Sequence, residues 1–315
     1  MTAQTCVYIG AELAAYGFGD GHPFGPDRLD AFWHHARSQG LENQVTVRVP
    51  VTVNREAIER FHTPAYVDRV IAQTRTGAGF LDCGDTPAYP GIYEAACYVA
   101  GSVLDAIERL LSGGCHYAFV PIAGLHHARR DSAAGFCVFN DCGIAIETLR
   151  SVHGLQRIAY VDIDAHHGDG VFYSFEADPA VLFADLHEDG HYLYPGTGMA
   201  GETGQGAARG TKLNIPMAPA AGDDAFLAAW ETVEAFLDAR RPEFILFQCG
   251  ADSIAGDPIT HLRYTPQAHR HAAQRLCQLA ARHCPGRLLA LGGGGYDRGN
   301  LALAWTAVLE ALIAG

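Results

Sequence analysis

The sequence predicts an α/β fold, a mainly parallel eight-stranded sheet with helices on both faces. Three observations predict it: eight short apolar runs, helical patterns lying between most of them, and polar clusters placed just past the C-terminal ends of several runs. The runs rich in Val, Ile, Leu or Phe are Cys6 to Gly10, Gln44 to Val49, Tyr117 to Ala123, Ile158 to Asp164, Val181 to Leu186, Lys212 to Met217, Phe244 to Gly250 and Arg287 to Leu291. Helical patterns cover Arg28 to Gln39, Pro64 to Arg75, Ile92 to Leu111, Asp141 to Val152, Asp224 to Ala239, Pro266 to His283 and Gly299 to Ile313. Strands alternating with helices require crossover connections, which is what a parallel sheet covered on both faces needs. The segments Tyr16 to Pro26, Thr76 to Gly91 and His187 to Gly210 read as long loops, and long loops in compact domains often carry function.

Composition narrows the class. An apolar content of 49% over 315 residues is ample for a large core, and with no repeat or linker in view the whole of 1–315 reads as one domain. The net charge of −13 argues against a nucleic-acid binder held by phosphate contacts and suits cationic substrates. No leader pattern opens the sequence and no apolar run approaches about 18 residues, so a cytoplasmic protein without membrane contact is expected. The nine cysteines are scattered singly with no C-x-x-C pair, which reads as reduced, mostly buried thiols and gives no zinc-finger spacing.

The densest chemistry lies in Arg157 to Val171, RIAYVDIDAHHGDGV. If the strand begun at Ile158 stays extended, Asp162, Asp164 and His166 point to one side, because alternate residues of a strand share a face. Bare carboxylates at a buried strand end cost several kcal/mol or neutralise, and a cation resolves the conflict. One imidazole with carboxylates suits zinc, and manganese or iron less well.

Other polar groups follow other strands: His126 and His127 after the run ending at Ala123, Asp252 two residues after Gly250, and Tyr296 after Leu291 through four glycines. Ligands of open parallel sheets bind beyond strand C-termini, so these segments are expected to converge. Asp164, His166 and Asp252 would form a three-ligand shell with open positions. His126 and His127 would transfer protons, with Asp162 behind the first and Asp169 behind the second to fix each tautomer. Small residues around Gly294 let backbone approach a substrate while Tyr296 donates to a developing oxyanion. Phe136, after Gly135, and Tyr194 would line a narrow apolar channel.

The segments Gly124 to Asp141, Tyr160 to Val171, Tyr194 to Gly198, Gly250 to Pro258 and Leu291 to Tyr296 closely resemble, in order and approximate spacing, the zinc-dependent histone deacetylase superfamily. That family includes bacterial acetoin-utilisation proteins and acetylpolyamine amidohydrolases, and weaker similarity reaches back through Phe61 to Val70 and Gly21 to Leu29. The resemblance implies an arginase-like α/β fold and amide deacylation. Asp164, His166 and Asp252 match the zinc ligands, His127 the general base and acid, His126 its electrostatic partner, and Tyr296 the tyrosine that polarises the acyl carbonyl. Phe136 and Tyr194 match the aromatic walls of the acyl-lysine tunnel, the second being commonly phenylalanine. Asp85 matches a rim aspartate that grips the substrate backbone, and Arg28 resembles the arginine of an acetate-release channel. Potassium bound beside the zinc by backbone around Asp162, Asp164, His166 and Leu186 is implied too, although Asp185 departs from the serine frequent there.

The expected reaction is therefore release of acetyl or another short acyl group from acyl-lysine in proteins or peptides. Acetylpolyamine hydrolysis is the alternative substrate reading, and a catalytically silent acyl-lysine-binding module the alternative class. An arginase-like dimanganese enzyme fits less well, because Asp169 lies one residue too far for that family's D-A-H-x-D pattern.

Overall fold

A computed structural model describes residues 5–19 and 21–315; Asp20, inside the expected loop Tyr16 to Pro26, lies outside the described residues. The strands are β1 (Thr5–Tyr8), β2 (Thr46–Arg48), β3 (Tyr117–Val120), β4 (Ile158–Asp162), β5 (Val181–Glu188), β6 (Lys212–Met217), β7 (Phe244–Gln248) and β8 (Leu288–Leu291). They form one sheet in the order β2-β1-β3-β8-β7-β4-β5-β6, and every pairing is parallel. Every residue of β1, β3, β4, β5, β7 and β8 is buried, as expected for strands covered on both faces. The edge strand β2 is only partly covered.

The helices are α1 (Ala11–Ala14), α2 (Arg28–Ser38), α3 (Arg55–Ile58), α4 (Pro64–Thr76), α5 (Ile92–Leu111), α6 (Asp141–Ser151), α7 (Asp169–Phe175), α8 (Asp223–Arg240), α9 (Pro266–His283) and α10 (Arg298–Ala314). Helix α10 packs on α2 and α9, and α9 on α8; α5 packs on α4 and α6, and α6 on α7. These are the two helical layers. Local chemistry sets several boundaries. Thr63 accepts from the Tyr66 N–H ahead of Pro64 at the start of α4, and Gly77 closes that helix in the left-handed region at φ 59°. Asn140 caps α6 by accepting from the Gly143 N–H, and Thr265 caps α9 ahead of Pro266.

One register row positions the site. Val120, Leu291, Gln248 and Asp162 lie level across four adjacent strands, and each is the last residue of its strand. The loops carrying the four polar clusters therefore leave the sheet side by side. Expected strands ran further, to Ala123, Asp164 and Gly250. Beyond the row the backbone bends: the Ile163 N–H still reaches the Gln248 carbonyl, but the ladder stops there. Alternation along a strand thus accounts for Asp162 alone, and Asp164 and His166 reach their places from a bend. The short α1, α3 and α7 were not expected, being too brief for a helical period to register.

His62 gives a pH-dependent test of the fold. Its buried Nε2 accepts from the Asn140 N–H, the backbone of the residue that caps α6. Burial pushes this imidazole down to about 3 despite backbone acceptors near Arg130 and Arg129. The folded chain keeps His62 neutral where the unfolded chain, with a pKa of about 6.5, takes up a proton. Stability from this group is therefore intact above pH 6.5 and falls as pH drops from there toward 3, by at most about 1.4 kcal/mol per pH unit. His62→Gln retains an acceptor for Asn140 and should flatten the curve of Tm against pH between 6.5 and 4.5. An unchanged slope would show that His62 does not contribute.

Candidate active site

Three donor atoms, one each from Asp164, His166 and Asp252, lie within 4.8 Å of one another, and all three residues are buried. Both carboxylates are anchored by backbone N–H groups, Asp164 at both oxygens, Oδ1 accepting from the His166 N–H at 3.0 Å, and Asp252 at Oδ1. Asp164 Oδ2 accepts from the Gly294 N–H at 2.8 Å and from Gln248 Nε2 at 2.8 Å, while Oδ1 lies 3.1 Å from His166 Nδ1. Asp252 Oδ1 accepts from the Ala165 N–H at 2.8 Å, while Oδ2 lies 3.0 Å from the same imidazole nitrogen. Burial and the neighbouring Asp164 carboxylate hold Asp252 up to about 7, whereas burial of His166 is overcome by its two carboxylate partners, which raise it to about 10. Two inward-facing carboxylates and one imidazole in a dry setting fit a divalent cation of zinc's ligand preference.

The paired histidines stand beside this triad. His126 Nδ1 donates to Asp162 Oδ2 at 2.8 Å, and the Tyr160 hydroxyl donates to the same oxygen at 2.6 Å. His127 Nδ1 donates to Asp169 Oδ1 at 2.7 Å. The two Nε2 atoms face each other at 3.2 Å, so with both Nδ1 positions protonated they hold one proton between them. The surroundings decide which ring carries it. Burial opposes charge on both, but Asp162, Asp164 and Asp185 raise His126 to about 10, while burial and the neighbouring His126 lower His127 to about 4. His127 Nε2 is then the proton acceptor of the pair.

The loop bearing these rings is fixed by residues to which no role was assigned from sequence. Asp141 accepts from the Gly124 and Leu125 N–H groups, and Asn140 Nδ2 donates to the carbonyls of His126 and Ala128. Gln248 links the loop to the triad, with Nε2 reaching the Gly124 carbonyl and Asp164. Gln248 had a readable signal, a lone polar residue closing the apolar run FILF. Asp141 and Asn140 had none, since an Asn-Asp pair ahead of a helix is ordinary capping chemistry.

Tyr296 lines the same cavity as His126, His127, Asp164 and His166. Its N–H donates to Asp257 and its carbonyl accepts from Arg298, anchoring the backbone at both ends. Burial, then Asp252 and Asp164, hold its phenol well above the usual range, so it stays a proton donor. Phe136 packs edge-on to Tyr296 at 5.8 Å between ring centres, and Tyr194 edge-on to His127 at 5.2 Å. Phe136 sits at φ 68°, held by Tyr16, whose hydroxyl donates to its carbonyl, and by Thr86, which accepts from its N–H. The glycines here admit no side chain. A Cβ on Gly135 would lie 2.5 Å from His127 Cδ2, and one on Gly294 would collide with the Asp252 carboxylate. One on Gly170 would meet the carbonyls of Ala128, His126 and His127 at 2.5–2.6 Å.

Outside lies a groove of about 580 Å³ lined by Asp85, Arg69, Arg129, Gly135 and Tyr194. Burial and the adjacent Asp82 raise the Asp85 carboxyl to about 6. Asp82 itself is consumed in its turn, accepting from the N–H groups of Gly84, Asp85 and Thr86. Deeper in, Arg28 is fully buried over the Phe24 ring and donates to the carbonyls of Gly293 and Gly295, while its Nη1 has no hydrogen-bond partner among the described residues. At the expected potassium position, Asp185 has both oxygens engaged, one with His187 Nδ1 and one with the Gly168 N–H.

The class of this site is given by comparison with known proteins, which places it among the deacetylase-type hydrolases. The histone deacetylase domain model matches residues 22–312, and the chain belongs to that family. It is 35% identical over 293 residues to the acetoin utilization protein AcuC of Bacillus subtilis, covering 90% of this chain and 75% of the relative. It is 31% identical to the histone deacetylase clr6 of Schizosaccharomyces pombe, covering 94% and 73%, and 34% identical to a probable deacetylase of Archaeoglobus fulgidus, covering 88% and 77%. The crystal structure of the HDA15 HD domain superposes with a TM-score of 0.90 at 27% identity, over 99% of this chain and 90% of that one. Among the described residues no helix is long and apolar enough to cross a membrane.

Proposed function

We propose that the protein is a zinc-dependent deacetylase that removes acetyl or other short acyl groups from the ε-amine of acyl-lysine in proteins or peptides. The observation that carries this reading is the buried Asp164, His166 and Asp252 cluster beside a closely approaching histidine pair and Tyr296. Asp164, His166 and Asp252 would hold the ion, which supplies Lewis acidity at the acyl carbonyl and a nucleophilic water at neutral pH. His127 Nε2 takes the proton of the attacking water and later returns it to the leaving amine. His126, charged against Asp162, stabilises the negative charge that develops, and the Tyr296 hydroxyl donates to the oxyanion. Phe136, Tyr194, Gly135 and Gly294 shape the passage for the acyl-lysine stem, and Arg28 stands where a released carboxylate would be received. Residues 1–315 act as one domain in this reading, and the nine unpaired cysteines, eight of them buried, support a reducing cytoplasmic setting. With both Asp185 oxygens engaged, potassium is not assigned a role.

Asp85 is the residue that separates substrate classes. A peptide offers N–H groups beside the acyl-lysine, and a carboxylate accepting them makes charge-assisted bonds worth about 1.5–3 kcal/mol. Asp85→Ala is therefore expected to lower kcat/KM at least about tenfold for acetyl-lysine peptides and far less for an acetyl-lysine analogue without flanking amides. The test is a panel of acyl-lysine peptides, that analogue and acetylated polyamines, on both proteins, with and without chelator. Equal losses on peptide and analogue would refute backbone gripping. Much higher wild-type efficiency on polyamines would reassign the substrate, and full activity in chelator would refute metal dependence.

A further inference from the structure

We infer that Arg129 is a positioning residue for His127, acting through Asp169 from the wall of the substrate groove. This rests on the role proposed for His127. Asp169 is wholly buried and has two oxygens to satisfy: Oδ1 takes the His127 Nδ1–H, and Oδ2 takes Arg129 Nη2 at 3.2 Å. Among the described residues no other side chain reaches Oδ2. The Arg129 side chain is 58% exposed and lines the groove, so it spans from the mouth of the site to a carboxylate that solvent does not reach. Its neighbour Arg130 turns away to Glu147 and the Phe61 carbonyl, so the two consecutive arginines have separate duties.

The physical consequence follows from the geometry. A carboxylate gripped at both oxygens cannot rotate, so it presents Oδ1 to His127 in one orientation and keeps the imidazole proton on Nδ1. Without Arg129, Oδ2 is left in a buried site with no donor, and the carboxylate can relieve this only by turning or by taking up a proton. Either change loosens the bond that keeps His127 Nε2 without a proton of its own. Burial opposes charge on Asp169, and His127 with Arg129 overcomes it, holding the carboxyl below its usual range.

The experiment compares wild type with Arg129→Ala and Arg129→Lys, using an acetyl-lysine analogue without flanking residues, acetyl-lysine peptides, and long-range proton–nitrogen spectra of protein labelled with nitrogen-15 histidine. Arg129→Ala is expected to lower kcat about tenfold or more on analogue and peptides alike with little change in KM, and to shift His127 from a fixed Nδ1–H form to mixed tautomers. Arg129→Lys, which restores a cation at Oδ2, should recover most of the kcat and the tautomer. A loss confined to peptides and expressed in KM would make Arg129 a groove contact and overturn the inference, as would an unchanged His127 tautomer in a folded Arg129→Ala protein. If wild type hydrolysed no acyl-lysine substrate, the functional reading would fall, while the tautomer spectra would still decide the role of Arg129.

Discussion

Tyr296→Phe is expected to fold, to retain its metal and to lose about a hundred- to a thousandfold in kcat, with KM far less affected. The phenol oxygen has no hydrogen-bond partner among the described residues, so its removal strands no donor or acceptor inside the protein. The backbone on either side stays tied to Asp257 and Arg298, and the ring keeps its contacts with Phe136 and Phe24. What disappears is one donor aimed into a cavity where water is scarce, and its worth is greatest when charge develops on the acyl oxygen. Steady-state kinetics beside metal analysis of the same preparation checks this. Near wild-type turnover would remove Tyr296 from the chemistry, whereas a wild type that binds acyl-lysine without turning it over would make a silent binding module the better reading.

Asp252→Asn is expected to abolish stable zinc binding, taking the content from one equivalent per chain to near none, and to lower turnover by about a thousandfold or more. The amide can still accept from Ala165, so the loop keeps its anchor. The metal-free protein should not suffer, since Asp252 is an awkward group there: burial and Asp164 oppose its ionisation. Wild type should therefore gain thermal stability on adding zinc, as any folded-state ligand confers, and the variant should not. Retention of a full equivalent would displace Asp252 from the ligand shell. Two equivalents of manganese in wild type, with activity on guanidino compounds, would replace the assignment with a binuclear one.

The six inner strands were legible because each is a short run of residues that only a doubly covered sheet can bury, and the long helices because their apolar period spans several turns. Their ends were less so. Nothing in the letters Ile163 and Asp164 marks the point where the ladder stops; that is set by the row from Val120 to Asp162, a property of four strands together. At the site, residues with distinctive chemistry in clusters could be picked out, including the triad and the tandem histidines. The groups that hold them could not. Asn140 and Asp141 act through bonds to distant backbone, and Asp257 supports Tyr296 across 39 positions in the chain. Such partners carry no local pattern because their significance exists only once separate strands have been brought together.

The crowding around Gly135, Gly170 and Gly294 bears on how this enzyme can diversify. Where a methyl group would already strike His127, the carbonyls of its loop or the Asp252 carboxylate, the inner chamber has no freedom to be narrowed at its glycines. The exposed positions at the mouth, Asp85 and Tyr194, meet no such barrier. New substrate preferences in this chain should therefore be won more readily at the entrance, while the glycine-walled part of the interior stays the same machine behind different doors.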